Sequence, residues 1–217
     1  YAGYRDAFAD LYKLTKLAYG PMLPDAMTSP RIAPPMIGLG LLEMLKESDI
    51  LSNADPEDHN KNGISGRAQR VWDTESNNLA LGRFGWKASS PSLRQQAAEA
   101  FSEDIGISNP LMPDHSGDCT DRQWTCRRAP DGGSPSHDGL EASEKILELV
   151  TLYSRNLAVP KRRNVGKPMV LAGKKLFYKS NCIACHTPKF ITGTHPSRPQ
   201  LSGQLIWPYT DLLLHDM

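Results

Sequence analysis

Apolar residues recur at helical spacing in five stretches of this chain. Tyr4, Phe8, Leu11, Tyr12, Leu14 and Leu17, with charges between them, predict a helix over 4–19. Met36 to Leu45 is apolar enough for a short buried helix. Ser92 is a plausible N-cap for a helix reaching Asp104, with Leu93, Gln96, Ala97, Ala100 and Phe101 on one face. Leu140, Ile146, Leu147, Val150, Tyr153 and Leu157 define the clearest amphipathic helix, which Pro160 ends. A last helix, about Pro168 to Lys179, runs into a cysteine pair. The intervening segments are loops: the Pro-rich stretch Pro21–Pro35, polar residues 52–66 and the Pro/Gly/Asp/Ser-rich 109–139. With no internal repeat and no set of alternating strands, the expected fold is mainly α with long loops.

Composition changes this picture little. The chain has 217 residues, 39% of them apolar and 23% charged, and a formal net charge of +1. That is an ordinary globular balance, and as a whole-chain average it makes no electrostatic case for nucleic acid or membrane. No apolar run reaches the length of a membrane span. The chain opens on Tyr1-Ala2-Gly3-Tyr4, neither a start Met nor a signal peptide, and stops just after an apolar run. It is expected to be a piece of a longer protein.

Cys182-Ile183-Ala184-Cys185-His186 has the spacing of covalent haem attachment. Two thiols at this separation add to the porphyrin vinyl groups, and the adjacent His186 reaches the iron. Gly173 and Phe177, four apart on the helix entering the motif, suit the start of a cytochrome c-like domain. A redox dithiol would want a thioredoxin-like βαβ setting, which is absent. A zinc site would want a second ligand pair, and Cys119 and Cys126, with six residues between them, match one poorly. Haem c is the reading preferred over both. It implies the periplasm, where disulfides persist, so Cys119 and Cys126 are expected to be bonded.

Asp58-His59-Asn60-Lys61-Asn62-Gly63-Ile64 alternates oxygen side chains and ends on a Gly. This is the first half of an EF-hand-like calcium loop, with Asp58, Asn60, Asn62 and the Ile64 carbonyl as ligands. Gln69 stands where the bidentate Glu belongs, and Asp55 or Asp73 would have to complete the shell. The alternative is a polar turn without metal.

Several long phrases carry a family resemblance: Ser29-Pro-Arg-Ile-Ala-Pro-Pro-Met-Ile-Gly-Leu-Gly-Leu-Leu-Glu43, Asn62-Gly-Ile-Ser-Gly-Arg67, Gly82-Arg-Phe-Gly-Trp-Lys-Ala88, Arg155-Asn-Leu-Ala-Val-Pro160 and residues 201–217. Together they resemble the bacterial di-haem oxidoreductases once labelled thiol oxidoreductases, relatives of the di-haem cytochrome c peroxidases. That label draws no support from these residues. The resemblance implies a second CxxCH upstream and more chain downstream, neither of which this sequence has. It divides the chain into a peroxidase-like region over 1–160, carrying the calcium-like loop 55–67, and an incomplete cytochrome c-like domain over 161–217. Only 31 residues follow His186, too few to wrap a haem.

The peroxidase relatives carry a stretch of type F-W-D-G-R-A, then Gln-Ala, then a catalytic Glu. Phe84-Gly-Trp-Lys-Ala88 and Gln96-Ala97 resemble the first two parts, but the Glu position falls on Gly106. Gln96, with Asp104 or Glu103, is therefore expected to line the reactive site on the other haem. Trp86 is either an aromatic relay between haems or an ordinary core residue. The sixth iron ligand is expected from Met217, ahead of His215; His115, His137 and His195 fall in loops.

The resulting expectation is a periplasmic c-type haem oxidoreductase, peroxidase-like, passing electrons to a second haem. Its expected partners are a small electron-donor protein or a quinol-linked donor, and a second haem domain outside this chain. The alternative is a non-enzymatic electron-transfer module.

Overall fold

The computed structural model describes residues 14–26 and 31–216. The part of the first predicted helix that falls within this range, 14–19, is irregular, with Leu14 and Leu17 exposed; the rest lies outside it. Six helices follow: α1 (Leu39–Glu43), α2 (Glu47–Leu51), α3 (Leu93–Glu99), α4 (Trp124–Arg127), α5 (Glu144–Asn156) and α6 (Pro168–Lys179). Six short strands join them: β1 (Gly66–Arg67), β2 (Arg70–Asp73), β3 (Asn78–Leu81), β4 (Phe190–Ile191), β5 (Leu205–Ile206) and β6 (Leu214–His215). The strands form three two-stranded antiparallel pairs, β1–β6, β2–β3 and β4–β5. "Mainly α" therefore overstates the helix: most of the chain is loop, with modest helices and small sheets. Strands two residues long are too brief to show alternation in a sequence.

The helices begin where capping chemistry allows. Ser92 Oγ accepts the Gln95 N–H at 3.1 Å, and Ser143 Oγ accepts the Ile146 N–H at 3.3 Å. α3 does not run regularly to Asp104; its last turn, Ala100–Asp104, widens into a π-helical turn. Asn109, fully buried, donates Nδ2–H to the Ala98 carbonyl at 2.9 Å and closes that end. α5 stops at Asn156, four residues before Pro160. Its buried residues are Leu147, Thr151 and Ser154, while Tyr153, expected on the inner face, is 68% exposed. Small hydroxyl side chains occupy that face because α1 and α3 press close against it.

Two clusters make the core. Leu39, Phe84 and Leu93 pack together beneath α1 and α3. The larger cluster joins Leu45, Ile50 and Leu81 to Phe190, Ile206 and Leu213, so residues far apart in the chain share one apolar interior. Glu43, at the end of α1, holds this junction. It accepts from Arg155 Nε at 2.6 Å, Arg198 Nη1 at 2.9 Å and the Leu93 N–H at 3.0 Å. Burial alone would raise its carboxyl. The bonds from Arg155 and Leu93 and the two guanidinium charges outweigh that and hold it below the ordinary carboxylate range. Gly40 is required here, because any Cβ would run into the Arg155 carbonyl. Cys119 and Cys126 are joined as a disulfide.

Candidate haem site

α6 ends at Lys179 with Ser180 as its C-cap, and Asn181, in the left-handed conformation, turns the chain into a short 3-10 turn, Cys182–Ala184. His186 N–H donates back to the Cys182 carbonyl at 3.0 Å, which closes the motif on itself. Cys182 and Cys185 are both free and half-buried. Burial, and behind it the Asp211 carboxylate, pushes the Cys185 thiol up.

His186 is exposed, and its Nδ1 lies 2.9 Å from the Tyr209 carbonyl. A carbonyl can only accept, so Nδ1 carries the proton and the neutral ring keeps its Nε2 lone pair for a ligand. Such a second-sphere bond orients a metal-binding imidazole and raises its basicity. Phe177 sits behind it, edge-on to the Tyr209 ring at 5.4 Å and 6.2 Å from the His186 ring. Two free thiols, a preset imidazole and an open side fit haem c.

His215 lies nearby but is otherwise employed. Its Nε2 meets the buried Asp211 carboxylate at 2.7 Å, and its Nδ1 lies 3.8 Å from the Cys185 sulfur. Ligating iron through Nε2 would first require breaking the Asp211 pair. Met217 lies outside the described residues. His115 and His195 are exposed, and His137 is half-buried with Nδ1 against the Glu141 carbonyl.

β1 pairs Gly66 with His215, so the calcium-like loop ends against the haem motif's own neighbour. Within that loop Asp58 accepts the Asn62 and Gly63 N–H groups, Asn60 the Asn62 N–H, and Asn62 the Ile64 N–H. Asp55 is held by the His59 and Asn60 N–H groups, and Asp73 by Glu75 N–H and Ser76. Among the described residues no three His, Cys, Asp or Glu side chains converge on a metal position. One carboxylate and two amides make a poor donor set for calcium. Each of these side-chain oxygens accepts an N–H from within the loop.

The structure brings Gln96 and Asp104 together and leaves Glu103 out. Leu93, Gln96, Ala97, Ala100 and Phe101, the face predicted from sequence, line an open apolar cleft of about 390 Å³ together with Asp104. A second cleft of about 380 Å³ adjoins it, sharing Pro34, Met36 and Gln96. Gln96 Oε1 is buried between them without a hydrogen-bond partner. Glu103 turns instead toward the Cys119–Cys126 loop, its carboxyl raised by partial burial and by Glu99, Asp118 and Asp104. Sequence reasoning missed Gln95, which is buried and bridges Thr74, Trp72 and Glu99. Trp86 is neither core nor buried: it is 58% exposed, with Nε1–H donated to the Ile32 carbonyl at 2.7 Å, while Phe84 fills the core position.

The family model described as "Di-haem oxidoreductase, putative peroxidase" matches residues 6–217. The chain belongs to the di-haem oxidoreductase family. No curated protein and no solved structure matches it. Four of the long phrases noted in the sequence are joined in pairs by the fold. Glu43 and Arg155 close the first and fourth phrases onto each other, and Gly66 pairs the second with the last. No helix among the described residues of the di-haem oxidoreductase is long and apolar enough to cross a membrane.

Proposed function

We propose that this chain is the part of a periplasmic, peroxidase-like di-haem enzyme that carries a covalent haem and receives electrons for a second haem outside the chain. One observation carries the reading: the His186 ring is preset by the Tyr209 carbonyl, with Nε2 free beside two free thiols. Cys182 and Cys185 would hold the group by thioether bonds, and His186 Nε2 would ligate its iron. Bound there, haem supplies one-electron redox chemistry at its iron. The chain's own residues keep the imidazole oriented and place an apolar floor, Phe177 and Tyr209, behind it.

The clefts beside Gln96 support the peroxidase-like half of the proposal. An apolar helix face left open, with an unpartnered buried amide oxygen, suits a large flat apolar occupant approached by a polar substrate. Gln96 positions that substrate, and the Asp104 carboxylate accepts and returns its proton. The Cys119–Cys126 disulfide agrees with an oxidising compartment.

The test is expression with haem-attachment machinery, followed by denatured mass and reduced spectrum. One haem retained, with sharp α and β bands, is expected, and Cys182→Ala with Cys185→Ala abolishes both. The full-length protein should consume peroxide only with an electron donor, and the double variant should not. Absence of bound haem hands the cysteines to other chemistry. Unchanged turnover in the double variant removes the electron-receiving role.

A further inference from the structure

The whole-chain charge of +1 hides a sharp division. Residues 1–148 hold 15 Lys and Arg against 22 Asp and Glu, whereas residues 149–217 hold ten against two. Between 149 and 210 there is no acidic residue at all. Arg155 and Arg198 are spent on Glu43. The other eight cations of that stretch are exposed, and none forms an ion pair among the described residues. They surround the haem-attachment motif in sequence and on α6. Counted from the N-cap Lys167, Lys174 and Lys175 stand at i+7 and i+8 and Lys179 four residues after Lys175, on one helix side with Leu171 and Tyr178 between them. Leu171, Lys174, Lys175 and Tyr178 line one shallow depression. Arg162, from the basic run 161–163, stacks over the Trp207 ring at 5.8 Å.

We infer that the outer face of α6, with its flanking basic run and Lys189, is the docking surface for a small acidic redox protein. This rests on the haem reading given above. Exposed cations with no internal counter-charge are not spent on stability; they set up a field, and a field around an electron site steers an oppositely charged donor and fixes its orientation. Apolar Leu171 and Tyr178 inside a basic rim suit a protein interface, where a partly apolar centre is ringed by charge. α6 ends three residues before Cys182, so a donor seated on it lies beside the attachment motif. With haem held there, the reduced donor would give up one electron to it, and no atom would be transferred.

The experiment uses the haem-loaded full-length protein, its spectrum checked first, and measures binding to a small acidic cytochrome and to a small basic one of similar size. Affinity for the acidic partner should fall at least about tenfold from roughly 0.01 M to 0.15 M salt, as the screening length shrinks from about 30 Å to about 8 Å. Lys174→Glu, Lys175→Glu, Lys179→Glu together should weaken it about tenfold at low salt by reversing local charge. The corresponding Gln triple should fall between, and Lys16→Glu with Lys145→Glu should change nothing. Reduction by dithionite should be equal in all variants. Equal affinity for both partners, no binding, self-association at low salt, or binding only to vesicles containing anionic lipid would each overturn the docking assignment while leaving the haem reading intact. A protein without haem would instead overturn the reading beneath it.

Discussion

The Nδ1 of His186 is bonded to the Tyr209 carbonyl across 23 residues of chain, at 2.9 Å. That relationship predicts a spectroscopic signature before any cofactor binds. Nitrogen NMR of the haem-free protein should show His186 as the Nδ1–H tautomer with a protected ring proton. Phe177→Ala removes the ring behind both residues and should average that signal. Mixed tautomers at His186 in the unaltered protein would sink the preset-ligand argument.

Glu43 governs stability toward acid. Its carboxyl is held below its unfolded value near 4.5, so its contribution is fully present above that value and is lost as pH falls through the lower folded value. Glu43→Gln leaves Arg155 and Arg198 without a charge partner and should cost about 3 kcal/mol, or roughly 6–12 °C in Tm, at neutral pH. The gap to the unaltered protein should narrow as pH falls below 4.5 and through the lower folded value, where the native carboxyl also protonates. Thermal melts across pH decide it, and a constant gap would show that the charge is unimportant.

The two candidate acids are separable because they face different ways. Asp104→Asn should lower donor-dependent peroxide consumption by on the order of 100-fold, the usual size of an acid–base contribution. Glu103→Gln, beside the disulfide loop, should leave it unchanged. The reverse pattern would move the proton-transfer role to Glu103.

Trp86→Phe keeps a ring but removes the bond to the Ile32 carbonyl. At a half-exposed site this should cost about 1 kcal/mol or less, and peroxide consumption should be unaffected. A marked loss of turnover without a change in Tm would place the indole on the electron path.

Calcium should not shift the Tm of this protein, since the 58–64 loop satisfies its own oxygens. Gly66→Ala, by contrast, pushes a methyl toward Leu213 and His215 and should destabilise by roughly 1–3 kcal/mol. A calcium-dependent rise in Tm, abolished by Asp58→Asn, would restore the metal to the loop.

Local chemistry was legible from sequence wherever one segment suffices. The haem motif needs two thiols and an imidazole within five residues, and α3, α5 and α6 are set by caps, prolines and helical spacing within a few turns. The face Leu93–Phe101 was read correctly as apolar, but only the structure shows that it lines an open cleft rather than a buried contact. Periodicity reports which side is apolar and carries no information on what covers it. The charge division at residue 148 was also present in the sequence; a whole-chain average erased it.

What the tertiary structure alone decided are the pairings between distant segments. His186 finds Tyr209, Glu43 finds Arg155 and Arg198, and Gly66 finds His215. These bonds depend on where loops return, which is fixed by the summed burial of Leu45, Ile50, Leu81, Phe190, Ile206 and Leu213 in one core. The same folding turned Glu103 away from Gln96 and lifted Trp86 to the surface, though each is only a short step along the chain from its expected neighbours. Sequence spacing determines the chemistry of a motif; the direction in which a side chain finally points is set by the packing of segments that sequence proximity does not connect.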